Sequence, residues 1–176
     1  VRLLPLPAEP VASGALAEHG LLYVPGPYVV PGGRFNELYG WDSWFIQRGL
    51  LRSGRADLAE SMYAQAGYEI ARYGRVLNAN RTYYLSRTQP PVFTRMLRDA
   101  LGPEPAPARL EQGLRLALRY HAVWVGTPRH DPETGLARYR DDGQGPAPEV
   151  LADEIDAQGR DHYDRVAMRL AAERDA

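Results

Sequence analysis

Residues 31–44 read P-G-G-R-F-N-E-L-Y-G-W-D-S-W, and no other stretch restricts the chain as much. Pro31, Gly32 and Gly33 free the backbone for a tight turn, so Arg34 to Asp42 are presented at the mouth of whatever follows. Trp41, Trp44 and Phe45 recur at helical spacing with Leu51 beyond them, which predicts a helix from about Trp41 to Arg52 that Ser53 and Gly54 end. Asp42 then lies in the first turn, where the helix dipole favours a carboxylate. A guanidinium fork, carboxylates that accept two hydroxyls and flat rings suit a ligand covered in hydroxyls. The same residues also suit a helix start pinned to a core by an Arg–Glu pair, and composition alone does not separate the two readings.

A chain of 176 residues with 44% hydrophobic content and mean hydropathy −0.43 has the makings of one domain with a sizeable core. No apolar run approaches a membrane span. A net charge of −1 leaves no electrostatic footprint for nucleic acid or an anionic membrane. Cysteine is absent, which removes disulfides, thiolate metal sites and a thiol nucleophile. The opening V-R-L-L-P-L-P-A-E-P is too short and too Pro-broken for a secretory signal, so a cytoplasmic location is expected. No cofactor is implied.

Residues 1–30 are Pro-rich and unpatterned, which reads as an extended lead-in across the first helices. A second helix is expected from Ala56 to Tyr73, with Leu58, Met62, Ala66, Ile70 and Tyr73 on one face and Gly74 as its stop; it forms a hairpin with the first. Residues 75–91, R-V-L-N-A-N-R-T-Y-Y-L-S-R-T-Q-P-P, break the period. Pro91 then opens a third helix, Val92 to Leu101. A fourth, about Ala108 to Val125, is expected to bury Leu110, Leu114, Ala117, His121 and Trp124, with His121 as a hydrogen-bonded core histidine. Residues 126–159 are irregular and acidic; the D-D-G-Q-G run lacks the alternating oxygens and closing Glu of an EF-hand. A last helix, about Asp161 to Glu173, has Tyr163, Val166, Ala167, Leu170 and Ala171 on one face behind an Asp161 cap.

Three of these stretches carry a resemblance. P-G-G-R-F-x-E-x-Y-x-W-D at residues 31–42 resembles the first signature of the trehalase family of glycoside hydrolases. Asn78, Arg81, Tyr83, Tyr84, Arg87, Gln89, Pro90 and Pro91 match its second pattern, with Leu77, Ala79 and Thr88 as departures. Gly135, Leu136, Arg138, Tyr139 and Pro148-Glu149-Val150 resemble the neutral, cytosolic branch, with Ala147 where other trehalases carry a sugar-contacting arginine.

The resemblance implies an all-α (α/α)6 toroid around a sugar pocket. Twelve helices with their connections need roughly 200 residues at the least, so residues 31–176 are expected to form an incomplete front half made of helical hairpins. It implies a substrate-binding set of Arg34, Phe35, Glu37, Tyr39, Trp41, Asp42, Asn78, Arg87, Thr88, Gln89, Pro148 and Glu149. Asp42 suits gripping hydroxyls rather than donating a proton. The implied reaction is cofactor-free, inverting hydrolysis of α,α-trehalose to two glucoses. Inversion needs a carboxylic acid and a carboxylate base about 6.5–9.5 Å apart, and the family places both beyond the P-E-V stretch, so neither is expected within this chain. Hydrolysis of glucosylglycerate or mannosylglycerate, and a catalytically inactive remnant, are the alternatives.

Overall fold

A computed structural model of the chain describes residues 20–126, 128–142 and 155–174. It divides into two compact units, Val1–Gly143 and Gln144–Ala176. The first holds α1 (Asp42–Arg52), α2 (Ala56–Tyr73), a single 3-10 turn at Thr82–Tyr84, α3 (Phe93–Leu101) and α4 (Pro107–Val125), and the second holds α5 (His162–Arg174). Among the described residues there is no strand, only isolated bridges.

Glycine sets the ends of the hairpin helices. Gly74 takes the left-handed conformation at φ 85° and terminates α2, a geometry a side chain resists. Four helices of the first unit share one core, in which Met62, Ile70, Phe93 and Met96 are wholly buried. Phe93 stacks on Tyr63 at 5.5 Å between ring centres. Burying one such ring stabilises the fold by about 1.5–3 kcal/mol. On α2 the core face is the one the four- and three-residue spacing predicts, with Met62, Ala66 and Ile70 buried.

On α4 the buried face differs from the one expected. Gly113, Tyr120 and Trp124 are buried and Leu116 and Ala117 pack beside them, whereas Leu110, Leu114 and Leu118 are exposed. His121 is exposed as well, not a core histidine. The cause is Gly113: a side chain there would meet Leu97 of α3 and the Tyr63 hydroxyl of α2 at 3.0 Å or closer, so the glycine marks where α4 lies flush on its neighbours. Leu110, Leu114 and Leu118 thus fall outside the buried face. Similarly, α1 buries Ser43 and Gln47 while Trp41 and Phe45 stay exposed. Gln47 Nε2 donates to the Met96 carbonyl at 3.1 Å, and Trp44 Nε1 donates to Asp99 at 3.0 Å; these polar bonds turn α1 toward α3.

Residues 20–30 cross α2. The Gly26 amide donates to Gln65 Oε1 at 3.1 Å, and Ser61 Oγ donates to the Pro27 carbonyl. In the second unit Asp161 caps α5 reciprocally: the Asp164 amide donates to Asp161 Oδ1 at 2.9 Å, and the Asp161 amide donates to Asp164 Oδ2 at 3.1 Å. Its expected apolar face is not buried, since Val166 and Leu170 are exposed.

Candidate functional site

The two motif stretches nearest the amino end meet edge to edge. The Gly40 amide donates to the Asn78 carbonyl at 3.0 Å, and the Asn80 amide donates to the Leu38 carbonyl at 3.2 Å, so Tyr39 and Ala79 form an antiparallel bridge. Residues 20–22 line the other side of the same segment: the Leu22 amide donates to the Asn80 carbonyl at 2.7 Å and the Thr82 amide to the Gly20 carbonyl at 3.0 Å. Asn80 spans both neighbours, its Oδ1 accepting the Leu38 amide at 2.8 Å and its Nδ2 donating to the Leu22 carbonyl at 3.1 Å. A buried amide with donor and acceptor both satisfied fixes register.

That register sets the polar side chains. Glu37 Oε1 accepts from Arg81 Nε at 2.8 Å and from its Nη2 at 2.5 Å, and Glu37 Oε2 accepts from the Tyr39 hydroxyl at 3.1 Å. Burial raises the Glu37 pKa, but the Arg81 guanidinium and the Tyr39 hydroxyl outweigh it and hold the carboxyl below its usual value. Burial, then the Glu37 carboxylate, pushes Tyr39 up to about 12. Glu37 is therefore an anion and Tyr39 a neutral hydroxyl at neutral pH. The Phe35 and Tyr39 rings meet edge to face at 5.4 Å, and the Arg34 guanidinium lies 5.1 Å over Phe35. Among the described residues Arg34 makes no ion pair with Asp42, and half-buried Asp42 makes no side-chain hydrogen bond.

The end of the second motif folds back on the first. Gln89 Oε1 accepts the Trp41 amide at 3.4 Å, and Gly40 is packed so tightly that a side chain there would meet Gln89 and the Leu77 carbonyl. Arg87 pairs with Asp141 at 3.3 Å and stacks over Tyr84 at 5.0 Å. Thr88 Oγ1 accepts the Arg140 amide at 3.1 Å. Asp142 bridges Arg75, at 3.0 Å, and Arg129, while its amide donates to the Ser86 carbonyl at 3.1 Å. Asp141 and Asp142 are thus neutralised by arginines; among the described residues no group of three or more His, Cys, Asp or Glu could hold a metal ion.

Of the expected residues, Glu37 and Tyr39 share a hydrogen bond, Arg34 and Phe35 stack beside them, Gln89 reaches the Trp41 amide, and Arg87 and Thr88 contact residues 140 and 141. Asn78 joins through its carbonyl, Asp42 has no side-chain partner among the described residues, and Pro148 and Glu149 lie outside them. Sequence reasoning missed Arg81, Asn80, Arg140 and Asp141 as holders of these groups. The Arg81 match in the second motif was the available signal. A groove of about 560 Å³ between α2 and α4, lined by Tyr63, Tyr68, Arg109 and Leu116, includes none of the expected residues.

The first unit is a set of packed helical hairpins whose connecting segments carry the polar and aromatic motif residues. The chain belongs to the trehalase family, whose model matches residues 10–173. It is 46% identical over 137 residues to the cytosolic neutral trehalase of Saccharomyces cerevisiae, covering 74% of this chain and 18% of that protein. It is 50% identical over 131 residues to the cytosolic neutral trehalase of Neurospora crassa, covering 72% of this chain and 18% of that one. The solved structure of neutral trehalase from Saccharomyces cerevisiae superposes with a TM-score of 0.77 at 36% identity, covering 97% of this chain and 34% of that chain. The chain therefore spans about a fifth of the length of the curated relatives it matches, and its hairpins are an incomplete part of the toroid. Among the described residues no helix is long and apolar enough to cross a membrane.

Proposed function

We propose that this chain supplies one wall of the sugar pocket of a cytoplasmic trehalose hydrolase. The carrying observation is the contact between the two motif stretches, Gly40 to Asn78 and Trp41 to Gln89, in a chain half identical to cytosolic neutral trehalases. Asp42 and the Glu37 anion accept sugar hydroxyls, and Arg34, Arg87, Asn78, Thr88 and Gln89 supply donors. Phe35, Tyr39 and Trp41 offer flat faces, of which Trp41 is 46% and Phe35 43% exposed; carboxylate pairs with aromatic platforms are the usual way to hold a pyranose. Pro148 and Glu149 complete the substrate-binding set in this reading.

The chemistry itself requires two further carboxyl groups. An acid must protonate the glycosidic oxygen while a base across the ring activates water, and inversion leaves room for that water between them. Glu37 is unsuited to the acid, because Arg81 keeps it ionised. In this account the acid, an Asp, and the base, a Glu, come from outside this chain. The test is isothermal titration of the chain with trehalose, glucosylglycerate and mannosylglycerate, beside an Asp42→Ala, Arg87→Ala double variant. Trehalose binding that the double variant loses at least tenfold supports the reading; tighter binding of either glycerate glycoside reassigns the sugar, and binding unchanged by the substitutions removes the pocket from these residues.

A further inference from the structure

Glu69 is a carboxyl group the sugar site does not use, and it lies in the core. It sits on the buried face of α2 with 1% of its surface exposed, in a region where the neighbouring side chains Ile70, Val76 and Leu77 are wholly apolar and at most 1% exposed. Its Oε2 accepts the Leu77 amide at 3.2 Å, and its Oε1 is buried with no partner among the described residues. Leu77 directly precedes Asn78, and its carbonyl lies against Gly40. The bond from α2 is therefore the first of three along this segment, followed by Gly40 to Asn78 and Asn80 to Leu38.

We propose that Glu69 is a positioning residue for the sugar-contacting edge: its Oε2 anchors Leu77 to α2 and so sets the register of residues 77–80 against 38–40, and ionisation, which leaves a buried charge with Oε1 unpartnered among the described residues, favours opening of that edge. The inference rests on the sugar-site reading above. Burial pushes the Glu69 carboxyl up to about 8, the Leu77 amide offsetting only part of the rise. The other titratable groups that sense it are Tyr73 on α2 and Tyr120 on α4, both themselves held up at about 12 and so uncharged throughout the relevant range. Arg75, in the connection after α2 and near Tyr120, is turned to the Asp142 carboxylate.

The sign follows from linkage. With the edge docked the carboxyl holds its proton up to about pH 8; with the edge open it reverts toward the ordinary glutamate value near 4.5. Opening therefore grows with pH between those limits, about tenfold per pH unit, and levels off above pH 8. Glu69→Gln keeps an acceptor for the Leu77 amide and carries no ionisable proton.

Hydrogen exchange of the full chain, corrected for the intrinsic pH dependence, decides the matter. In the unsubstituted protein, protection of the amides of residues 40, 77 and 80 falls about tenfold per unit from pH 6 to 7.5, while Glu69→Gln is flat over that range and Glu69→Leu loses protection at every pH. Trehalose titrations accompany it, with Glu69→Gln binding as tightly as the unsubstituted chain and Glu69→Leu at least tenfold weaker. The same pH slope in the unsubstituted and Glu69→Gln proteins overturns the role of Glu69. Absence of trehalose binding to the unsubstituted chain overturns the sugar site instead, and leaves the exchange result to decide the anchoring separately.

Discussion

Replacing Gly40 with alanine tests directly how the two motif stretches meet. An added methyl would lie closer than 3.0 Å to the Leu77 carbonyl oxygen, and at 3.0 and 3.1 Å from Oε1 and Cγ of Gln89. Gln89 is a side chain and can move, but the Leu77 carbonyl is backbone and cannot rotate away. The segments must separate, and the Gly40 to Asn78 and Asn80 to Leu38 bonds stretch with them. Overpacking costs about 1–3 kcal/mol and each buried bond about 1 kcal/mol, so a destabilisation of about 3–5 kcal/mol is expected. Gly40 is not among the glycines with positive φ, so backbone strain adds nothing and the effect is purely steric. Urea unfolding followed by tryptophan fluorescence suits the test, because Trp41 adjoins the substituted residue. A loss below about 1 kcal/mol, with unchanged Trp41 emission, would refute the edge-to-edge packing.

Asn80→Ala removes both side-chain bonds that clamp the central segment and leaves the Leu38 amide unsatisfied, for about 2–4 kcal/mol in urea unfolding. Phe93→Ala empties a fully buried site stacked on Tyr63 and costs about 3–5 kcal/mol, read as a fall in the thermal midpoint. Because the folded state raises the Glu69 carboxyl from 4.5 to about 8, the folded protein binds more protons than the unfolded one in that interval. Its contribution is fully present below pH 4.5 and is lost as pH rises to about 8, up to about 5 kcal/mol; Glu69→Gln should flatten that part of the stability profile.

Helix boundaries were legible because glycine and proline mark them. Gly54, Gly74 and Gly102 all adopt positive φ at or just beyond helix ends, and α2 runs from Ala56 to Tyr73 as the spacing predicts. The face of α4 was not legible. Leu110, Leu114 and Trp124 share one helical spacing with His121, yet the helix turns Gly113, Tyr120 and Trp124 inward because α3 approaches too closely for any side chain at Gly113. A glycine gives no hydrophobic signal, so the periodicity points elsewhere.

The motifs nominate the residues of the proposed site, whereas the groups that hold those residues in place were not legible. Arg81 reaches Glu37 across 44 residues, Asp141 reaches Arg87 across 54 and Asp142 reaches Arg75 across 67. No local pattern encodes a pairing at that separation. In sequence residues 141 and 142 belong to an acidic stretch without an assigned partner, and only the fold shows that Arg75, Arg87 and Arg129 neutralise them. Glu69 is similar: its place on α2 is clear from the period, but its single bond to Leu77 depends on how the chain turns after Gly74.

The proposed role of this chain is one wall of a trehalose pocket whose acid and base come from elsewhere. The most direct measurement is glucose release from trehalose by a chimera in which this chain replaces the matching segment of the Saccharomyces cerevisiae cytosolic neutral trehalase, run beside the chain alone. Hydrolysis by the chimera, its loss on Asp42→Ala, and none by the chain alone are expected. Glucose release by the chain alone, or a chimera that folds but is indifferent to Asp42→Ala, would contradict that role.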